Sequence, residues 1–252
     1  MIRLAHLVSA SVALLSLGVA GARAETAERQ PTAVIELFTS QGCSSCPPAD
    51  ALFVELAKQP ELIALTLPVT YWDYLGWKDT LGKDSFAKRQ KFYAKARGDG
   101  QVYTPQAVIN GASHVVGSDK VEIERAAKQA PGTGFVARVS LKEEAGLLQV
   151  AIAPKDKPLE RTSGVWVVAT TRVVTVPIAR GENQGKTVSY ANVVRGITRI
   201  GDWHGKETVL TAPLAAAQAP EADSYVVLVQ AEQPGKYGMM PGAILGAARN
   251  PR

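Results

Sequence analysis

The only two cysteines of the chain, Cys43 and Cys46, stand directly behind the mostly apolar run of residues 33–38. A run like this reads as a strand covered on both faces. Behind the cysteines, Leu52, Phe53 and Leu56 fall at the three-and-four spacing of a helix over residues 48–58. The pair therefore marks a strand-to-helix turn, where the macrodipole and free amides of a helix N-terminus stabilise a thiolate. Two thiols so placed, with no third cysteine to compete, read as a redox centre. As a structural staple the pair would do little, because closing so short a loop removes little unfolded-state entropy.

The first half alternates strands and helices. Residues 62–69 are expected as a second strand, parallel to the first if the intervening helix is a crossover. A second helix over 84–96 ends at Gly98, and strands 106–110 and 113–117 flank the hairpin signal Asn110-Gly111. A last helix over 119–129 is stopped by Pro131-Gly132. From residue 135 onward strand-like runs dominate: 135–141, 147–153, 165–176, 187–197, 208–212 and 225–231. Short strands with few helical periods predict a sandwich-like antiparallel module. The expected organisation is an α/β domain over 25–131, a central mixed sheet flanked by helices, followed by an all-β module over 132–252. Arg180-Gly181-Glu182-Asn183 and residues 192–195 could extend over the cysteine site, but nothing in the sequence places them there, and turn and strand are their default reading.

The first 24 residues are expected to be a signal peptide. Arg3 supplies a positive start, residues 4–20 an apolar core, and Ala22-Arg23-Ala24 a cleavage site. No cysteine sits at the cleavage point, so neither lipidation nor stable membrane anchoring is expected after cleavage, and the protein is expected in a bacterial periplasm or secreted. Losing Arg3 and Arg23 takes Lys+Arg from 28 to 26 against 23 Asp+Glu, so net charge falls from +5 to +3. That excess is too small and too dispersed to argue for nucleic acid, and no nucleic-acid partner is expected. Its densest cluster, Lys88-Arg89 with Lys91, reads as a solvated helix face.

The β-α-β-α-β-β-α order with C-x-x-C at its first long helix resembles the thioredoxin-like superfamily. Residues 36–50, E-L-F-T-S-Q-G-C-S-S-C-P-P-A-D, also resemble an exported thioredoxin-like family of unknown function. The resemblance implies a thiol–disulfide oxidoreductase acting on protein or small-molecule thiols and disulfides, served by a redox partner protein and needing no cofactor. Cys43 would attack and Cys46 resolve. Thr104-Pro105 falls where the superfamily carries a cis proline beside the disulfide. Glu36 falls close to the position of thioredoxin's buried acid, one residue further from the first cysteine. It is a candidate proton acceptor for Cys46, the alternative being a carboxylate paired with a lysine or reaching the surface. Pro47-Pro48 departs from thioredoxin's own pattern and suggests a helix starting near Pro47, with both sulfurs in a preceding turn.

Trp72 and Asp73, with Tyr71 and Trp77, follow the second strand toward the rim that carries the cysteines. They read either as a shelf for a polypeptide or small ligand or as a packed loop. Two readings compete with the oxidoreductase. Cys43 and Cys46 with His114 would suit Cu(I), a soft ion that takes sulfur and imidazole; a non-catalytic binding protein would leave the thiols idle. Zinc fits less well, because a structural site wants four ligands.

Overall fold

Strand β1 (Ala33–Thr39) is buried at every position, as a run with both faces covered must be. In the computed structural model, which describes residues 30–129, 135–235 and 238–250, β1 lies near the middle of an eight-stranded sheet. The expected signal segment and the expected boundary around Pro131 lie outside the described residues. Helix α1 (Pro47–Leu56) returns the chain to β2 (Leu62–Pro68), which pairs with β1 in parallel from Ala33↔Leu62 to Thr39↔Pro68. Helix α2 (Asp84–Arg97) ends at Gly98 in a left-handed C-cap. Strands β3 (Gln106–Ile109) and β4 (Ser113–Val116) form the expected hairpin. Its turn residues Asn110 and Gly111 both have positive φ. At Gly111 a Cβ would lie 2.3 Å from the carbonyl oxygen of Gly242, so only glycine fits. Helix α3 (Lys120–Gln129) closes this half.

The second half contributes β5 (Ala137–Glu144), β6 (Leu147–Pro154), β7 (Ser163–Pro177), β8 (Thr187–Trp203), β9 (Thr208–Pro213), β10 (Ser224–Gly235) and β11 (Gly238–Arg249). It is rich in strands, as expected, but its strands do not all stay together. The large sheet has the order β11-β10-β7-β8-β2-β1-β3-β4, and only β5-β6-β9 form a separate antiparallel sheet. The join is at β2, where Thr66 pairs in parallel with Val193 and its hydroxyl donates to the Ala191 carbonyl at 2.6 Å. Asn192, at φ 46°, donates from its carboxamide to the Ala64 carbonyl at 2.9 Å. Strand β11 was not expected from the sequence; Pro241, Gly242 and Gly246 interrupt its apolar pattern.

Side chains alternate across the large sheet. Val34 and Phe38 of β1, with Leu65 and Leu67 of β2, pack with Phe86 and Tyr93 of α2 and with Val226, Leu228 and Ile244 of the second half. Ile35 and Leu37 face the other way, onto Ala49, Phe53 and Leu56 of α1 and Ile123 of α3. The small sheet buries Val139, Val150 and Ile152 against Val167, Val227 and Val229 of the large one. The α2 core therefore runs unbroken across both halves.

Candidate functional site

Beyond β1 the chain makes two successive tight turns. The Cys43 amide donates to the Ser40 carbonyl at 3.1 Å, and the Cys46 amide to the Cys43 carbonyl at 3.2 Å. These turns bring Cys43 and Cys46 into a disulfide with Cα atoms 5.4 Å apart. Cys43 is 3% exposed and Cys46 fully buried, while Ser44 and Ser45 between them are exposed. The Cys43 sulfur lies 3.4 Å from the Ser45 hydroxyl.

Cys46 caps α1, and the helix begins at Pro47 as the proline pair suggested. The prolines also overturn one expectation. Free amides at the helix start were to stabilise a thiolate, but Pro47 and Pro48 carry no N–H. The next two amides, of Ala49 and Asp50, both donate to the Cys46 carbonyl, at 2.9 and 3.1 Å. Any thiolate stabilisation from the helix thus comes from its macrodipole rather than from these amides.

The acid expected near Cys46 also differs. Glu36 points to the α2 face of the sheet, opposite α1. Its carboxylate accepts from Arg89 Nε at 2.7 Å and from the Tyr93 hydroxyl at 2.5 Å. The structure so brings Glu36 to an arginine rather than to the cysteines. The carboxyl on the cysteine side is Asp50, one helical turn beyond Cys46, where side chains four apart are neighbours. Asp50 is buried; Oδ1 accepts from the Thr39 hydroxyl at 2.7 Å, and Oδ2 has no hydrogen-bond partner among the described residues. Burial pushes its carboxyl well above the usual carboxylate range; the Thr39 hydrogen bond opposes this and nearby Asp79 adds to it. A signal for Asp50 was present in the sequence: it lies four residues after Cys46 and three before Phe53, on the buried stripe of α1.

Around the disulfide the predicted substrate residues assemble in part. The Trp72 indole N–H donates to the Thr104 hydroxyl at 2.7 Å, and its ring stacks on exposed Tyr74, centroids 6.2 Å apart. A Cβ on Gly42 would lie 3.1 Å from the Trp72 carbonyl oxygen, so Trp72 packs directly against the residue before Cys43. The Thr104–Pro105 peptide is cis and leads into β3. Asp73 turns elsewhere, accepting from the Asp79 amide at 3.1 Å. His114 is not brought to the sulfurs: Nδ1 lies 2.9 Å from the Tyr103 hydroxyl and Nε2 3.3 Å from Asp99. Among the described residues no group of three or more His, Cys, Asp or Glu is placed to hold a metal.

Sequence reasoning missed the polar frame of the cysteine loop. Buried Gln41 donates its amide to Asp79 at 2.8 Å and accepts from Trp77 Nε1 at 2.7 Å. Burial raises the Asp79 carboxyl too, against the amides of Gln41 and Leu81 that bond it. The loop between β7 and β8, read by default as a turn, reaches this frame from the second half. Asn183 is buried there and donates from Nδ2 to the Gln41 carbonyl at 2.9 Å and to the Cys43 carbonyl at 2.8 Å. Beside it, Glu182 accepts from the Ser44 amide at 3.3 Å.

No curated protein matches the chain. A solved crystal structure, of protein AGR_C_4864 from Agrobacterium tumefaciens, is similar at a TM-score of 0.75 and 32% identity, over 88% of this chain and 95% of that one. The family described as "protein of unknown function (DUF1223)" matches over residues 34–230, which spans the cysteine loop, the cis proline and the Asn183 loop. On that match, the chain belongs to the DUF1223 family.

Proposed function

We propose that this protein is an exported thiol–disulfide oxidoreductase with a thioredoxin-like first half, acting through Cys43 and Cys46 on protein or small-molecule disulfides. The observation that carries the reading is the Cys43–Cys46 disulfide at the start of α1 with the buried Asp50 carboxyl on the same helix face. The β-α-β-α-β-β-α order and Thr104–Pro105 at the head of β3 support the thioredoxin-like part.

In the reducing direction, the Cys43 thiolate attacks one sulfur of a substrate disulfide. A mixed disulfide forms and one substrate thiolate leaves. The Cys46 thiol gives its proton to the Asp50 carboxylate, and the resulting thiolate attacks the Cys43 sulfur. That closes Cys43–Cys46 and expels the second substrate thiolate, which takes up a proton. Two electrons pass to the substrate, and a redox partner protein restores the dithiol. Run backwards, the same steps make the protein an oxidant. A raised carboxyl suits Asp50 to this exchange because its proton affinity lies closer to that of a thiol.

Equilibrating the pair in glutathione buffers, with copper chelated and Cys43→Ser as control, tests the reading. A reversible two-electron transition between roughly −120 and −270 mV, the span of known catalysts, is expected. A pair that stays oxidised well below that span, or that titrates only with Cu(I), overturns it.

A further inference from the structure

On the sheet face away from the cysteines, α2 and the second half enclose a cavity of about 370 Å³, within the size range of small-molecule sites. Its walls are apolar and aromatic, formed by Phe86 and Phe92 of α2 against Trp166 and Ile197. Its rim is cationic. Lys83, Lys88 and Arg195 all line it. Among the described residues neither lysine has a carboxylate partner, while Arg195 is held by Glu221 at 3.0 Å. The single acid in the lining, Glu232, lies 3.3 Å from Arg199, and Arg89 is taken up by Glu36.

The geometry points to a binding site for a small amphipathic carboxylate, with its apolar body against Trp166, Ile197 and Phe92 and its head toward Lys83, Lys88 and Arg195. One further observation fits this chemistry. Lys83 donates to the Arg195 backbone carbonyl; burial, then the Arg195 charge, lowers the Lys83 ammonium pKa, and an anion at the mouth offsets that repulsion. The cavity and the thiols lie on opposite faces of the sheet, so this site stands or falls independently of the redox reading.

Calorimetric titration of the mature protein with decanoate tests it, using 1-decanol and decyltrimethylammonium as neutral and cationic probes of equal chain length. One decanoate per chain is expected, with the cationic probe at least tenfold weaker. Lys83→Glu combined with Lys88→Glu should weaken decanoate at least tenfold. If that double variant melts early, Lys88→Glu alone, at an exposed helix position, should weaken it about threefold. Equal binding of all three probes, or decanoate binding that survives in the folded variants, overturns the assignment.

Discussion

The two halves of the molecule contribute different things to one site. Residues 30–129 bring the sulfurs, the buried Asp50 and the Trp72–Thr104 contact, Trp72 just after β2 and Thr104 just before β3, the two strands that pair with β1. Residues 135–250 bring no reactive group. They bring Asn183 onto the Cys43 carbonyl, Glu182 onto the Ser44 amide, and strand β8 onto the open edge of β2. The disulfide and Asp50 lie in one half, and part of the frame that holds their loop comes from the other. A loop that must hold a sulfur nearly closed while two serines stay exposed needs its carbonyls tied down; the first half ties those of Ser40 and Cys43, and Asn183 adds the tie on Gln41 and a second one on Cys43.

The largest effect should follow from separating the halves. A mature chain ending at Gln129 loses Val226, Leu228 and Ile244 from the core shared with Phe38, Leu65 and Tyr93. It also strips β2 of its neighbour β8. Exposed apolar faces and a bare strand edge favour aggregation, so this fragment should be insoluble or lack a cooperative thermal transition. A soluble fragment with a sharp transition and an intact Cys43–Cys46 couple would show that the halves are independent modules.

Asp50→Asn comes next, and sharpens the assignment of chemistry to the first half. Disulfide exchange, followed by insulin reduction or a small aromatic disulfide, should slow by about 10²-fold or more, the usual scale for a lost proton acceptor. Stability should move the opposite way. With its carboxyl raised in the folded state, the native protein holds more protons than the unfolded chain above the ordinary Asp pKa of about 3.9. Stability from this group is therefore full below that value and is lost as pH rises through the folded pKa. At pH 7 the asparagine variant escapes that loss, and a gain of about 1 kcal/mol would raise the melting midpoint by roughly 2–4 °C. A variant that exchanges normally would remove Asp50 from the mechanism.

Asn183→Ala probes the other side of the comparison. It removes the donor to the Gln41 carbonyl and one of the two donors to the Cys43 carbonyl, whose other donor is the Cys46 amide. A loss on the order of 2 kcal/mol, or roughly 4–8 °C in the oxidised protein, is expected. The midpoint potential in glutathione buffers should shift with it, because the clamp touches Cys43 itself. An unchanged potential alongside a lowered melting temperature would make the clamp purely structural.

How much of this was legible depended on distance along the chain. The apolar run before Cys43, the stripe of Leu52, Phe53 and Leu56, and Asn110-Gly111 each specify their structure within a few residues, and each formed where expected. The junction of β8 with β2 did not announce itself, because an edge strand's choice of neighbour leaves no local pattern. Gln41, Asp79 and Asn183 look like ordinary turn residues, and only the fold makes them a buried frame. Glu36 misled because a carboxylate inside a buried strand must find a partner, and from sequence a distant Arg89 cannot be told from a nearby thiol.

The smallest expected effect belongs to Glu182→Gln, and it asks whether the second half tunes the thiols as well as holding them. Glu182 occupies the Ser44 amide, a donor next to Cys43 that would otherwise be free to face a thiolate. Its negative charge disfavours ionisation of Cys43, as any like charge near a developing thiolate does. Pro47 and Pro48 have already removed two nearby donors, so this amide matters more than it would at an ordinary helix start. Glutamine keeps an acceptor for Ser44 and removes only the charge. The Cys43 thiol pKa, read from the pH dependence of alkylation in the reduced protein, should fall by roughly 0.5 unit, the scale set by exposed charge interactions of about 0.2–1 kcal/mol. Salt should shrink the difference between the variant and the native protein. A fall that survives high salt would point instead to a rearranged loop, and no fall at all would leave the second half as scaffold only.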